Sequence, residues 1–235
     1  MGRYFVAAIR TCLRWSGALG AASIVGCGVL LWAALSWAPE EAVQGSIQRI
    51  FYIHVPSAIC TFLAFGLSGV GGAIFLARRS ALADAVALSA AEVGMVFATL
   101  VLVTGPIWAK PVWGVWWTWD ARLTSMLVLW LIFGAYLLLR ALVPGEPGAR
   151  FASVLAIFGV LDIPFIRIST ERFRTLHPGN PMKAGLDPDM HVALWIGIGA
   201  FTCLGLYLII KRLELALLRR PEIDLSSALE PGMES

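Results

Sequence analysis

AVALSAAEVGMVFATLVLVTGPI, residues 85–107, runs for twenty-three residues with a single charge, Glu92. At 1.5 Å per residue a helix of that length covers roughly 30 Å, the thickness of a bilayer's hydrocarbon core. Hydrocarbon offers no hydrogen-bond partners, so the backbone must satisfy itself, which makes the run a helix. Working outward, five more apolar runs bounded by charge or by Pro and Gly occupy 15–37, 51–77, 123–139, 151–166 and 192–210. The fifth is the shortest, and Gly71-Gly72 and Pro164 are expected to interrupt the second and fifth. Run 15–37 carries a weak small-x-small site at Ser36-Trp37-Ala38. Its apolar core is too long for a signal peptide, so it reads as a retained span.

Composition agrees. The chain is 59% hydrophobic and only 14% charged, against roughly 25% charge in a soluble domain, and its mean hydropathy is +0.79. The expected fold is an all-α integral membrane protein, one membrane domain over residues 1–235 with six transmembrane helices. Six spans put both termini on one side. That side carries Arg3, Arg10, Arg14, Arg78, Arg79, Arg140, Arg150, Lys211, Arg212, Arg219 and Arg220. The other carries Arg49, Lys110, Arg122, Arg167, Arg172, Arg174 and Lys183. The larger positive count marks the termini as cytoplasmic, so the protein is expected in a bacterial inner membrane with its other face periplasmic. Cys12, Cys27, Cys60 and Cys203 form no C-x-x-C pair, which argues against thiol exchange, structural zinc and covalent haem attachment. No G-x-x-x-x-G-K-[ST] motif is present, so any ATP coupling must come from a partner. No nucleic-acid partner is expected.

On the outer face, between the third and fourth spans, lies WAKPVWGVWWTWDARLTS, residues 108–125. Trp108, Trp113, Trp116, Trp117 and Trp119 are half of the protein's ten tryptophans. Pro106, Pro111 and Gly114 are expected to break the third helix, and a short interfacial helix is expected to follow. On such a helix Trp113, Trp116 and Trp117 share one face. An aromatic belt spreads one or two such residues over many span ends. Five in twelve residues, followed by Asp-Ala-Arg, read instead as a platform for a large flat apolar ligand.

Two histidines flank this platform on the same face: His54, about one turn inside the second span, and His177, in the loop before the sixth. One imidazole from each flank is the pattern of two axial ligands to a haem iron. Trp113, Trp116, Trp117 and Trp119 would then hold the ring. Arg122, Arg172 and Arg174 would pair with propionates through forked bonds, and Asp120 would orient Arg122 or a neighbouring indole. His191, at the start of the sixth span, reads as an ordinary interfacial residue. Glu92 and Asp162 lie within spans, where ionisable groups are functional candidates by default; a proton relay is the less favoured reading of them.

The block WGVWWTWDARLTS, with Y-I-H-V-P at 52–56, VTGPIWAKPVW at 103–113 and R-T-L-H at 174–177, resembles the haem exporter protein C (CcmC) family of the cytochrome c maturation pathway. The resemblance covers nearly the whole chain. Ala121 and Arg122 follow the aspartate where the larger haem lyases typically have proline. It implies non-covalent haem b on the periplasmic face, with His54 and His177 as axial ligands and the Trp motif, Trp108 included, around the porphyrin. It also implies delivery of haem to the periplasmic chaperone CcmE, with the small subunit CcmD and the ATP-driven pair CcmA–CcmB as partners. The implied role is carriage rather than catalysis.

Three other readings compete. A haem permease would move its cargo across the bilayer. A b-type cytochrome relaying electrons between two haems would need more than three histidines on one face, which leaves only a single-haem form. A secondary transporter would show repeated halves, and none is evident.

Overall fold

The computed structural model describes residues 2–177 and 185–218, with backbone alone for 2–10, 12 and 13. Six long helices carry the chain: α1 (Gly2–Trp32), α2 (Phe51–Arg78), α3 (Ala81–Trp113), α4 (Ala121–Leu142), α5 (Gly145–Arg172) and α6 (Pro188–Leu218). A π-turn (Ala33–Trp37) extends α1 and a 3₁₀ turn (Ser46–Ile50) leads into α2. All six are long and apolar enough to cross a membrane, and no strand forms among the described residues. The six runs are thus the six spans.

Their boundaries differ from expectation where glycine and proline invited a break. α2 runs through Gly71-Gly72 and α5 through Pro164. The glycines serve contact instead. A Cβ on Gly71 would stand 2.9 Å from the Ala83 carbonyl of α3, and one on Gly72 would stand 3.2 Å from Ser153 of α5. Small residues let helix backbones approach closely where lipid supplies no hydrophobic drive between helices. The buried alanines of α3 (Ala83, Ala87, Ala90, Ala91, Ala98) extend the same small surface.

α2 is the hub, packing on α3, α5 and α6, while α1 lies against α6 and α4 against α5 and α3. One core cluster joins α1, α2, α3 and α6 around Tyr52, Phe97 and Leu194. A second joins α2 to α5 around Phe65, Leu129 and Phe133. There Phe65 and Phe133 stack 3.7 Å apart, 5° from parallel, and Gly94 admits the Phe65 ring, which a Cβ would meet at 2.6 Å.

Two forked ion pairs tie α3 to its neighbours. Arg140 of α4 donates to Asp84 at 2.7 and 3.1 Å. Arg212 of α6 donates to Glu92 at 2.6 Å through two nitrogens. Glu92, a proton-relay candidate by its position, is therefore committed to a guanidinium.

Candidate functional site

α3 passes straight through Pro106 and Pro111 and stops only at Gly114, whose φ of 79° is the left-handed conformation that ends helices. Gly105 removes the Cβ that would clash with the Pro106 ring, and membrane helices accept such prolines because neighbouring groups re-satisfy the backbone. The expected short helix in the Trp segment is absent. Residues 114–120 are irregular, so Trp113 ends α3 while Trp116, Trp117 and Trp119 stand on irregular chain. Short-range aromatic spacing does not supply a helix when a left-handed glycine stands between the residues.

This end of the bundle holds a cavity of about 1000 Å³, counting its open mouth. His54, Trp108, Trp113, Trp117, Arg122 and His177 line it, with Met126, Ile166 and other apolar side chains completing the wall. The lining fits the usual small-molecule site, a mostly apolar cleft with few polar groups.

His54 is 8% exposed, in the first turn of α2. Its Nδ1 lies 2.9 Å from Thr104 Oγ1. The Thr104 hydroxyl donates its single proton to the Leu100 carbonyl at 2.6 Å, so Thr104 accepts from His54 Nδ1–H. That assigns the tautomer and leaves the lone pair on Nε2, as a metal-binding imidazole requires. A Cβ on Gly105 would stand 3.4 Å from His54 Cε1. Trp108 meets His54 edge-on at 5.9 Å and donates Nε1–H to Gln44 Oε1 at 2.8 Å. Gln44 and Val43 are held in turn by their N–H groups on the Glu41 carboxylate.

His177 follows α5 on irregular chain, with Trp113 at 6.2 Å. The rings of His54 and His177 have centroids 6.4 Å apart and planes at 37°. Imidazole–metal bonds are about 2.0–2.1 Å; adding the ring radius at each end puts two coaxial ligands roughly 6 Å apart, centroid to centroid. The observed 6.4 Å is close to that distance. Among the described residues no group of three or more His, Cys, Asp or Glu is placed to hold a bare ion.

Asp120 caps α4. Its Oδ1 accepts from the N–H groups of Arg122 and Leu123, both at 3.0 Å, and its Oδ2 from the Thr118 hydroxyl at 2.8 Å. Burial works to raise this carboxyl, but those bonds and one from the Thr175 hydroxyl outweigh it and hold it below its ordinary 3.8. A depressed acid stabilises the fold above its unfolded value and loses that contribution as pH falls through the folded one. The haem-free protein should therefore lose thermal stability more steeply below about pH 3.8 than Asp120→Asn does. Parallel melting profiles would exclude the effect.

Other expected residues fall outside the cavity wall. Trp116 and Trp119 are 58% and 76% exposed, and Trp119 packs edge-on to Trp117 at 5.8 Å. Arg172 and Arg174 are exposed and do not line the cavity, and neither does His191. Lys183 lies outside the described residues. Arg49 is used by the Ala34 carbonyl and Glu40, and Lys110 by the Gly114 carbonyl at the end of α3. Sequence reasoning missed Thr104, Gln44 and Thr175, and only the position of Thr104 within VTGPIW offered a signal.

Six spans, with two imidazole rings 6.4 Å apart in the wall of an indole-lined, mostly apolar cavity at one end, define a polytopic membrane protein with a candidate ligand site at one end of its bundle. The chain belongs to the heme exporter protein C family, whose model matches residues 2–227. It is 35% identical over 221 residues to the heme exporter protein C of Bradyrhizobium diazoefficiens, covering 92% of this chain and 82% of that one. To the Escherichia coli K12 protein of the same name it is 36% identical over 212 residues, 88% and 86% of the two chains. The Haemophilus influenzae protein is 34% identical over 215 residues, 89% and 87%.

Proposed function

We propose that this protein receives haem b, without covalent attachment, at the periplasmic face of the inner membrane and delivers it to a periplasmic haem chaperone of the CcmE kind. CcmD and the CcmA–CcmB pair would complete the system. The observation that carries the reading is the pair of imidazoles 6.4 Å apart, with the His54 lone pair left on Nε2. Haem is the cargo: its macrocycle supplies the four equatorial ligands that the protein does not. His54 and His177 take the axial positions, and Trp108, Trp113 and Trp117 wall the ring. Arg122 and the positive N-terminus of α4 favour the propionates. The Trp117 indole N–H is buried without a protein partner among the described residues, a further donor for a ligand. The family's haem-exporter name supports the task, and the charge asymmetry of the segments between spans supports the assignment of face.

The test is the haem spectrum of the full chain in mild detergent, followed by mixing with the soluble domain of a periplasmic haem chaperone. A six-coordinate, low-spin bis-imidazole spectrum is expected, declining as the chaperone gains haem. A protein that retains no haem when haem is supplied would overturn the binding, and retention without transfer would overturn the delivery.

Thr104→Val should weaken haem retention by about 10–100-fold, the usual cost of removing an outer partner of a metal-bound histidine. Haem titration measures it, and Thr104→Ser should restore retention. If valine binds as tightly as wild type, the tautomer needs no fixing.

A further inference from the structure

Trp108 is held from two directions. Its ring meets Phe51 edge-on at 6.1 Å and His54 at 5.9 Å, both residues of α2. Its polar edge is held from the loop between α1 and α2, where Nε1–H donates to Gln44 Oε1 at 2.8 Å. An indole N–H can only donate, so Gln44 must present its oxygen and the orientation of the amide is settled.

Gln44 is half-buried and lines the cavity, and it is carried by a turn closed by three bonds. The Glu41 carboxylate accepts from the backbone N–H groups of Val43 at 2.9 Å and Gln44 at 2.5 Å. The Glu41 carbonyl accepts from the Gly45 N–H at 2.8 Å. Gly45 has φ 59° and ψ −144°, a conformation that favours glycine, and it passes the chain from this turn into the 3₁₀ turn before α2. The backbone from which the Gln44 side chain starts is therefore fixed on both sides.

We propose that Gln44 is a positioning residue for the haem site: the Glu41–Gly45 turn holds it, it orients Trp108, and through Trp108 the loop between α1 and α2 sets how tightly haem is held beside His54. The proposal rests on the haem reading above. It brings into the site a segment that belongs neither to the Trp motif nor to the histidine neighbourhoods. It also separates two tasks on one side of the cavity. Thr104 aims the axial ligand, and Gln44 aims the indole that packs against it.

The full chain in mild detergent, titrated with haem, tests this. Gln44→Leu keeps about the same bulk and removes the acceptor, Gln44→Glu keeps an acceptor, and Trp108→Phe removes the donor. Gln44→Leu should weaken haem retention roughly two- to tenfold, one hydrogen bond's worth, with six-coordination kept because Thr104 still holds His54. Added to Trp108→Phe, Gln44→Leu should cost nothing further, since the group it acts through is gone. In the haem-free protein, the Trp108 indole N–H resonance is assigned by its loss in Trp108→Phe. Its exchange with solvent should accelerate roughly two- to tenfold in Gln44→Leu and stay near the wild-type rate in Gln44→Glu. Glu41→Ala, which alters neither bonded side chain, should accelerate it as well.

Wild-type haem retention together with wild-type indole exchange in Gln44→Leu overturns the proposal. A loss of retention that persists in full on the Trp108→Phe background also overturns it, because Gln44 then acts on haem by another route. So does fast indole exchange in Gln44→Glu, because an acceptor at this position is then not what holds the ring. If wild type takes up no haem, the haem reading fails, and indole exchange in the haem-free protein alone decides whether Gln44 positions Trp108.

Discussion

His54→Ala should abolish the low-spin spectrum and reduce haem retention by more than about 100-fold, beyond the usual loss for an outer partner alone. The side chain is 8% exposed and set into the cavity wall. Its removal takes away an axial bond, leaves Thr104 Oγ1 without the N–H it accepts, and deprives the Trp108 ring of its edge contact. His177→Ala should also abolish six-coordination. Its ring is half-buried at the mouth rather than enclosed, so exogenous imidazole should re-enter there more readily than at position 54. The order of rescue is thus a second readout. If both alanine variants keep the wild-type spectrum, the axial assignment is wrong. If His191→Ala alone removes it, the ligand pair must be redrawn, because His191 lies outside the cavity wall.

The spans were legible because hydropathy over twenty residues is a sum, insensitive to where any one residue points. The local breaks were not. Gly71, Gly72, Pro106, Pro111 and Pro164 all lie inside continuous helices, because in a membrane bundle the tertiary neighbours and the lack of competing water outweigh local propensity. Only Gly114 ends a helix, and what distinguishes it is its left-handed φ, which composition does not display. The two histidines could be paired from sequence because both sit at span ends on one face. Thr104 could not, since its contribution depends on a rotamer and on a proton spent at Leu100. Asp120 was visible as part of a motif, but its bonds to Thr118 and to the first N–H groups of α4 depend on the irregular chain before that helix. Arg172 and Arg174 looked as well placed as Arg122 by charge and neighbourhood, and only Arg122 lines the wall.

Arg212→Met should destabilise the protein by about 1 kcal/mol, because the side chains of the pair are 38% and 30% exposed and a part-exposed ion pair is worth little more than that. Glu92 lies eleven residues beyond the first residue of α3, Ala81, roughly 16 Å along the axis at 1.5 Å per residue. α3 is 33 residues long, more than a core of about 30 Å requires, and Arg212 stands just past the sixth apolar run, 192–210. Without Arg212 the carboxylate must stay charged beside apolar helix faces or take up a proton, and either choice costs folding energy. The neutral double variant Glu92→Gln with Arg212→Met should recover most of the loss, because the penalty comes from the orphaned charge and not from the missing attraction. Thermal unfolding in detergent of the two single variants and the double would measure this. Equal losses in all three would show that the pair's own attraction carries the stability. Retained haem binding in the double variant would also separate Glu92 from any proton relay, since glutamine cannot carry a proton across.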